Sequence, residues 1–598
     1  MATLLWSSML LGCALPAVDV PPVAAPPASA TDLAPAPSHT SPLLPTATRI
    51  TPTATPDPRI EQWLANLTLE EKIGQMLLIG LFSPSVDNSA VQAATGVRVG
   101  GVWLTRRNLT SVEQTTALIA ELQQLAIEQG SGLPMFVALD HEGGAIHRLP
   151  PPVTHWPSNM ALAAAGCDIY AAPVGQAAAE ELRALGFNLN FAPVLDLHSN
   201  LANPITHIRT FGSQPETAAN CAAELITGYQ SAGIIAVAKH FPGHGSTPID
   251  SHAELPTIPL SLPDLYAADL QPFQAAIQAD VGGMMVGHLR LPDLDPALPA
   301  SLSPALIDGL LRSDLGYNGV VFTDDVAAMG AINTQYRIGP AAIRAIQAGA
   351  DVIVMNAYYD SAQFVIDAVL RAIARGDLTE ARLDQSVRRI LALKAAYGLL
   401  ALPLTAAPPA NYPAHAADAE QVGAASVAAY PTAPALPLTG PVLLITPADR
   451  LAQARPSGNA RSNIAVALEL GGLTVTELAY NANTGATDTA TNAMLSAASQ
   501  TPTTVFLSWD AALGLRGSLY WQRRTISQLL THTDRLIVVA INTPYDLAAL
   551  PNVTEYLMTF GATDAQMQGL AAVLLGQSPI TATLPFDPTL LSDPSIVR

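Results

Sequence analysis

The chain has 598 residues, of which 49% are hydrophobic and 13% are charged, so it is long enough for two or three domains with large buried cores. Its formal net charge is −20, whereas a protein that binds nucleic acid needs a basic face and one that docks electrostatically on anionic lipid needs basic segments. The composition therefore argues against nucleic acid as a partner and against electrostatic binding to a membrane surface.

The first 13 residues resemble a bacterial lipoprotein signal. Residues 2–11 are mostly apolar and lead to Cys13, the cysteine that such a signal lipidates, although no basic segment precedes the apolar run. Residues 14–58 are rich in Pro, Ala, Ser and Thr and cannot form a core, which is typical of a spacer. We expect an extracytoplasmic protein, lipid-anchored to the bacterial membrane through Cys13 or secreted. A frayed apolar terminus is the alternative.

Residues 59–400 alternate between predicted strands and helices. Thr68-Leu69-Glu70-Glu71 is a capping box that predicts the start of a helix. The eight predicted strands are Gln75–Leu81, Gly101–Thr105, Pro134–Asp140, Phe187–Asp196, Ile234–Lys239, Val281–His288, Gly319–Asp325 and Ala350–Asn356. Eight such units predict an α/β fold with a (β/α)8 TIM-like barrel, and a doubly wound open sheet is the alternative. A barrel brings the polar residues at its strand ends to one rim.

A second, smaller unit follows a predicted helix at residues 378–397. Residues 401–439 are rich in Ala and Pro and indicate a connector. Residues 440–598 alternate again between strands and helices, which predicts a smaller α/β sandwich as an accessory domain. Its predicted strands are Pro441–Thr446, Leu473–Ala479, Thr503–Trp509, Arg535–Ile541 and Glu555–Phe560. Its polar residues form no catalytic pattern.

The three cysteines of the chain, Cys13, Cys167 and Cys221, are too few for a disulfide framework. A bridge between Cys167 and Cys221 is one interpretation. Free cysteine is among the most buried residue types, and two free buried thiols are the interpretation that we favour from the sequence.

The stretch from Lys239 to Pro256 carries three histidines, a lysine and two carboxylates on the loop after a predicted strand. Asp250 and His252 stand two residues apart, so on an extended loop their side chains point the same way and the carboxylate can orient the imidazole for proton transfer. The alternative is that His252 has only a structural role, as a loop histidine that is hydrogen-bonded to the neighbouring Asp250. A metal site is disfavoured because the histidine spacing matches no standard zinc pattern and Lys239 would repel a cation.

Three further clusters follow predicted strands. Asp140 opens the run Asp-His-Glu-Gly-Gly, with Arg148 shortly after it, and the glycines let backbone approach a ligand closely; a tight turn is the alternative. Asp324 and Asp325 end the seventh predicted strand, where one aspartate can serve as a nucleophile and the other can cap a helix. Arg209 lies in a predicted loop, where its guanidinium is available to contact a ligand.

Together these motifs resemble family 3 of the glycoside hydrolases, and the Lys239–Pro256 loop resembles its bacterial β-N-acetylglucosaminidase branch. The resemblance runs from about residue 68 to residue 586. It implies that Asp324 is the nucleophile, that His252 is the general acid/base and that Asp250 is its partner. It also implies a set of substrate-binding residues, namely Asp140, Arg148, Arg209, Lys239 and His240.

The resemblance implies retaining, exo-acting hydrolysis of terminal β-linked N-acetylglucosamine, with no metal or cofactor and with cell-wall (peptidoglycan) fragments as the expected substrate. Two positions depart from the family pattern: Ala145 stands where arginine is usual, and Ser246 where an acidic residue is usual. The alternatives are an N-acetylglucosaminide phosphorylase, a β-glucosidase of the same family, and a sugar-binding lipoprotein without activity. The β-glucosidase branch takes its acid from the second domain, where this sequence offers no candidate.

Overall fold

The computed structural model describes residues 58–404, 406–451, 461–513 and 519–597. Cys13, the signal-like segment 1–13 and residues 14–57 of the predicted spacer lie outside the described residues. Among the helices that are described, none is both long and apolar enough to span a membrane.

Eight parallel strands form the first sheet, and each of them overlaps one predicted strand. They are β1 (Leu77–Gly80), β2 (Gly101–Trp103), β3 (Phe136–Leu139), β4 (Leu189–Asn190), β5 (Ile235–Phe241), β6 (Gly283–Val286), β7 (Val320–Thr323) and β8 (Ile353–Met355). Their order in the sheet is β7-β6-β5-β4-β3-β2-β1-β8, and a parallel bridge between Phe322 and Val352 joins the two ends. The predicted (β/α)8 barrel is confirmed, and the open sheet is wrong.

Helices pack around this barrel. They are α1 (Pro58–Asn66), α2 (Leu69–Gln75), α3 (Asn88–Val91), α4 (Val112–Glu128), α5 (Asn159–Ala165), α6 (Cys167–Leu185), α7 (Pro215–Ser231), α8 (Leu262–Ala267), α9 (Gln271–Gln278), α10 (Gly330–Asn333), α11 (Ile338–Ala348), α12 (Tyr359–Arg375) and α13 (Glu380–Ala396). The predicted capping box opens α2. The hydroxyl of Thr68 accepts the N–H of Glu71 at 3.3 Å, and the Glu71 carboxylate accepts the N–H of Thr68 at 2.8 Å.

The fourth strand is shorter than its predicted range of Phe187–Asp196. Regular pairing stops at Asn190, and Pro193 has no N–H to continue the ladder. Pairing returns at Val194, which forms a bridge with Lys239 of β5. Lys239, near the end of β5, is thereby paired with the segment that follows β4.

The second domain is a six-stranded sheet with helices on its faces. Its strands are β9 (Ala428–Tyr430), β10 (Pro441–Pro447), β11 (Thr474–Tyr480), β12 (Thr503–Ser508), β13 (Arg535–Ala540) and β14 (Glu555–Met558). Its helices are α14 (Tyr412–Ala425), α15 (Asn463–Leu470), α16 (Asp488–Ala498), α17 (Leu519–Leu529) and α18 (Asp564–Leu574). The strand order is β11-β10-β12-β13-β14-β9, with β9 antiparallel to β14. The stretch interpreted as a connector therefore contains a helix and the edge strand of this sheet.

Alternate residues of the second sheet pack into two different cores. On β10, Leu443 and Ile445 join one apolar cluster, while Val442 and Leu444 join the other. This alternation is what a sheet covered on both faces requires. The first of these clusters also contains Ile208 of the barrel domain, so one face of the second sheet packs against the barrel.

Cys167 and Cys221 form a disulfide, so the expectation of two free thiols is wrong. The two residues lie at the start of α6 and within α7, and their Cα atoms are 5.0 Å apart. Gly175 and Gly228 lie where these helices cross, and a Cβ on either would collide with the backbone of the facing helix. This close approach, which the sequence alone does not reveal, brings the cysteines within bridging distance.

Candidate active site

The carboxyl ends of the barrel strands enclose a cavity. The residues that line it are Trp103, Asp140, Phe191, Ile205, Arg209, Lys239, His240, Ser251, His252, Met285, Asp324 and Val354. Every one of them belongs to the barrel domain. Six of the eight predicted site residues are in this set, and a seventh, Asp250, contacts His252.

Lys239, near the end of β5, holds two carboxylates beside this cavity. Its Nζ lies 2.6 Å from Asp140 Oδ1 and 2.7 Å from Glu142 Oε1. Arg209 makes a bidentate pair with the same glutamate, from Nε to Oε2 at 2.8 Å and from Nη2 to Oε1 at 2.9 Å. The indole N–H of Trp103 donates to Asp140 Oδ2 at 2.9 Å. Two cations and two carboxylates thus compensate each other where a ligand would bind.

The buried members of this network stay charged. Burial alone would raise the pKa of Glu142, but Arg209 and Lys239 outweigh it and hold that pKa well below its ordinary value. Burial also disfavours the ammonium form of Lys239, while Asp140 and Glu142 raise its pKa. Glu142 was not predicted as a site residue. The available signal was its position two residues after Asp140, a spacing that places both side chains on one side of an extended segment.

His240 is oriented by a buried carboxylate. Its Nδ1 lies 2.7 Å from Asp196 Oδ2, and Asp196 Oδ1 accepts the backbone N–H groups of His240 and His244 at 3.2 and 2.7 Å. Because Nδ1 is occupied, Nε2 is the ring nitrogen that can contact a ligand. Burial would raise the pKa of Asp196, but the two histidines and their hydrogen bonds lower it. Asp196 was not predicted as a site residue, because its partner lies 44 positions away in the sequence.

The two aspartates after β7 have different surroundings. Asp325 accepts the backbone N–H groups of Ala327, Ala328 and Asn356 at 2.9, 3.2 and 3.0 Å, so its carboxylate holds the loop together. Asp324 lines the cavity instead, and Oδ1 accepts the N–H of Asp325 at 2.9 Å. The other carboxylate oxygen of Asp324, Oδ2, accepts no hydrogen bond from the described residues and is therefore available to a reacting group.

The charge state of Asp324 follows from its neighbours. Burial would raise the pKa of its carboxyl, but the imidazoles of His240 and His288 outweigh this effect and lower that pKa. His288 is itself fixed between the Ser301 hydroxyl, 2.7 Å from Nδ1, and the backbone oxygen of Asp325, 3.1 Å from Nε2. Asp324 is consequently an ionised carboxylate at neutral pH, as a nucleophile must be.

Asp250 and His252 form the pair that their spacing predicts. Asp250 Oδ1 lies 2.7 Å from His252 Nδ1 and also accepts the backbone N–H of His252 at 2.8 Å. Burial would raise the pKa of Asp250, but these hydrogen bonds to His252 lower it. The imidazole is 66% exposed, so its Nε2 can exchange protons with both a substrate and water.

The His252 loop is tied to the segment that follows Asp324. The N–H of Gly330, at the start of α10, donates to the backbone oxygen of His252 at 2.9 Å, and the N–H of Ala331 donates to that of Ser251 at 3.2 Å. A side chain at Gly330 would collide with the backbone of the His252 loop. The backbone segments that carry His252 and follow Asp324 are therefore hydrogen-bonded to each other, which fixes the relative positions of these two side chains.

The structure does not bring Arg148 into the cavity. Arg148 is half-buried and, among the described residues, has neither a side-chain hydrogen bond nor an ion pair. It lies near His141, whose pKa is lowered to about 3 by burial, by His155 and by Arg148 itself. A substrate contact by Arg148 stays a prediction from the sequence.

Known proteins share this fold and much of this sequence. The chain is 31% identical over 559 residues to a beta-N-acetylglucosaminidase/beta-glucosidase of Cellulomonas fimi, covering 88% of this chain and 94% of the relative. It is 33% identical over 358 residues to the beta-hexosaminidase LpqI of Mycobacterium tuberculosis, covering 58% of this chain and 89% of the relative. The fold, the cavity and these relatives define a glycoside hydrolase.

The family follows from a match over more than half of the chain. Residues 68–393 match the model of the glycosyl hydrolase family 3 N terminal domain. The structure of a glycoside hydrolase family 3 beta-N-acetylglucosaminidase from a Paenibacillus species superposes with a TM-score of 0.76 and 34% identity, over 87% of this chain and 99% of that chain. The chain belongs to glycosyl hydrolase family 3, and the resemblance seen in its motifs is confirmed.

Proposed function

We propose that the protein is a retaining, exo-acting β-N-acetylglucosaminidase that hydrolyses terminal β-linked N-acetylglucosamine. The observation that carries the proposal is one cavity lined by an ionised carboxylate, Asp324, and by an imidazole, His252, whose Nδ1 is occupied by Asp250. A nucleophile and a separate acid/base are the two groups that retaining hydrolysis needs. The names of the Cellulomonas and Mycobacterium relatives support the choice of sugar.

The reaction has two steps. In the first, an oxygen of Asp324 bonds to the anomeric carbon, the glycosidic C–O bond breaks, and His252 Nε2 gives its proton to the leaving oxygen. In the second, His252 takes a proton from water, the water oxygen bonds to the anomeric carbon, and the bond to Asp324 breaks. The sugar is released in its original β configuration, and Asp250 holds the imidazole through both steps.

An imidazole suits this double role. A carboxylic acid would need a strongly raised pKa to protonate a leaving group at neutral pH, whereas histidine changes its charge near pH 7 without a large perturbation. Sugar binding is assigned to Asp140, Arg209, Lys239 and His240, whose side chains are already held by hydrogen bonds and ion pairs beside the cavity. Such preorganised groups gain contacts with a sugar at little cost in reorganisation.

Purified protein assayed on aryl N-acetyl-β-glucosaminide and on aryl β-glucoside tests the proposal. We expect a strong preference for the N-acetylglucosaminide, and a preference for the glucoside would overturn it. β-Glucosidase is the second candidate because the Cellulomonas relative carries both activities in its name. Repeating the assay with phosphate separates hydrolysis, which yields free sugar, from phosphorolysis, which yields sugar phosphate. Absence of turnover on both substrates would favour a sugar-binding protein.

We also propose that the protein works outside the cytoplasm on cell-wall fragments. The disulfide between Cys167 and Cys221 supports export, because disulfides persist in oxidising compartments. Cell fractionation of the wild type and of Cys13→Ala tests the lipid anchor. We expect the wild type in the membrane fraction and the variant in a soluble extracytoplasmic fraction, whereas equal cytoplasmic amounts of both would contradict the proposal.

A further inference from the structure

Three side chains at the barrel rim form a stack that the hydrolytic mechanism does not use. The rings of Phe82 and Tyr358 lie 4.1 Å apart, centroid to centroid, with 25° between their planes. The guanidinium carbon of Arg107 lies 4.7 Å from the centroid of the Phe82 ring. Arg107, Phe82 and Tyr358, in this order, will be called the rim stack.

The rim stack belongs to the face of the barrel that holds the active site. Phe82 follows β1, Arg107 follows β2 and Tyr358 follows β8, and these three strands are neighbours in the sheet. The loops after parallel strands lie at the carboxyl rim, where Asp324 and Lys239 also lie.

The rim stack lies close in the chain to residues that line the cavity. The N–H of Leu81, next to Phe82, donates to the backbone oxygen of Trp103 at 3.4 Å, and Trp103 lines the cavity. Val354, four residues before Tyr358, lines the same cavity. The segments that carry Phe82 and Tyr358 therefore adjoin residues of the cavity wall.

Part of this stack faces solvent. Tyr358 is 54% exposed, so one face of its ring contacts Phe82 and much of the rest meets water. Single exposed apolar side chains are normal on a protein surface, but here three loops contribute to one ordered stack beside a cavity. The amide of Asn108 donates to the backbone oxygens of Leu81 and Ser83 at 3.1 and 2.8 Å, which fixes the loop that carries Phe82.

We propose that the rim stack is the subsite for the leaving-group side of the scissile bond, where the apolar face of the next pyranose unit packs on the Tyr358 ring. This inference rests on the proposed function. Flat aromatic rings offer a large contact area with little loss of side-chain freedom. Arg107 and Phe82 back the tyrosine ring and hold its orientation, so the subsite is formed before the substrate arrives.

Comparison of two substrates of the wild type and of Tyr358→Ala tests this subsite. N,N′-diacetylchitobiose places a pyranose on the leaving-group side, whereas N-acetyl-β-glucosaminyl fluoride releases only fluoride. We expect Tyr358→Ala to lower kcat/KM for the disaccharide about tenfold, the size of a lost aromatic contact, and to leave the fluoride within about twofold. Tyr358→Phe keeps the ring and should match the wild type on both substrates.

Tyr520→Ala is the matched control, because Tyr520 is a 78% exposed aromatic residue in the second domain. We expect this variant to match the wild type on both substrates. Equal losses on both substrates for Tyr358→Ala, no loss on either, or a loss on the fluoride alone would each overturn the subsite. A wild-type protein that is inactive on both substrates would instead overturn the proposed function, and the subsite with it.

Discussion

The barrel and the second domain both bury carboxylates, but the two regions compensate them differently. Beside the cavity, Glu142 has two cations within 2.9 Å. In the second domain, Asp510 is held by neutral groups, the amide of Asn542 at 2.9 and 3.0 Å and the hydroxyl of Thr543 at 2.7 Å. Burial and the nearby Asp510 raise the pKa of Asp546 to about 7. The pKa values of these two buried carboxyls are therefore shifted in opposite directions, downward for Glu142 beside the cavity and upward for Asp546 in the second domain.

The second domain nevertheless supports the site through backbone contacts. The side-chain amide of Asn159 donates to the backbone oxygen of Arg209 at 2.6 Å, and the hydroxyl of the preceding Ser158 donates to the backbone oxygen of Phe560 at 2.5 Å. Ile208, next to Arg209, packs in an apolar cluster of the second domain. The second domain therefore braces the loop that aims Arg209 at Glu142, although every lining residue of the cavity belongs to the barrel domain.

The largest effect that separates the two regions should come from their aspartates. Asp324→Ala removes the proposed nucleophile, and we expect kcat to fall roughly ten-thousandfold to a millionfold on every substrate. Asp546→Asn, at a fully buried position in the second domain, should change kcat by no more than about twofold. Steady-state release of an aryl group measures both. A comparable loss in the two variants would show that Asp324 acts through the fold and has no chemical role.

The next largest effect should come from His252→Ala, and it should depend on the leaving group. General acid–base assistance contributes about a hundredfold to ten-thousandfold, and an aryl group of low pKa needs little protonation, so the first step should survive best with such substrates. Azide needs no base and should partly restore turnover. Asp250→Asn should lie between the wild type and His252→Ala, because the imidazole stays but loses its orienting charge.

A uniform loss across leaving groups without azide rescue would contradict this role for His252. The imidazole would then be a binding group, and the acid/base would lie elsewhere. His532→Ala gives a control on the second domain, where His532 Nδ1 lies 2.8 Å from the backbone oxygen of Gln528 in an exposed position. It should leave the leaving-group dependence unchanged.

A smaller effect should distinguish the ion pairs of the two regions. Glu142→Gln leaves Lys239 and Arg209 without their shared counter-charge, and breaking such a buried pair typically costs about 3 to 5 kcal/mol in the free energy of unfolding. Glu555→Gln breaks the pair with Arg535, which is partly exposed on both sides, and should cost no more than about 1 kcal/mol. Urea unfolding measures both variants. If both variants lost the same free energy of unfolding, the ion pairs of Glu142 with Lys239 and Arg209 would stabilise the fold no more than the partly exposed pair of Glu555 and Arg535.

The sequence predicts the barrel well because its local pattern is strong. Most of the barrel strands are short apolar runs that lead to a polar residue, and Asp140 and Asp324 stand at such ends. The same reasoning missed β9, whose three residues follow an Ala-rich helix in a stretch that resembles a connector. Three residues are too few to show the alternation of apolar and polar side chains that marks a strand. Only the pairing with β14 identifies this segment as an edge strand.

The site was predicted where neighbours in sequence are also neighbours in space. Asp250 and His252 are two residues apart, and their contact follows from the spacing. Glu142 and Arg209 are 67 residues apart, so only the folded barrel reveals that the glutamate holds the guanidinium. The disulfide was not favoured from the sequence for the same reason, because its cysteines are 54 residues apart on two helices.

The smallest expected effect concerns the sign of the pH dependence of stability. The Asp546 carboxyl has an ordinary pKa of 3.8 and a pKa of about 7 in the folded protein. Between these values the unfolded chain releases a proton that the folded chain keeps, so the contribution of Asp546 is complete below about pH 4 and is lost as the pH rises toward 7. The loss should reach about 2 to 4 kcal/mol relative to Asp546→Asn. Glu142, whose folded pKa is lowered, should show the opposite sign, with its advantage over Glu142→Gln lost as the pH falls below its ordinary 4.5. Urea unfolding at about pH 4, 6 and 8 for the Asp546 pair, and at about pH 3, 4 and 6 for the Glu142 pair, measures the slopes. Slopes of equal sign would refute the contrast between the two regions.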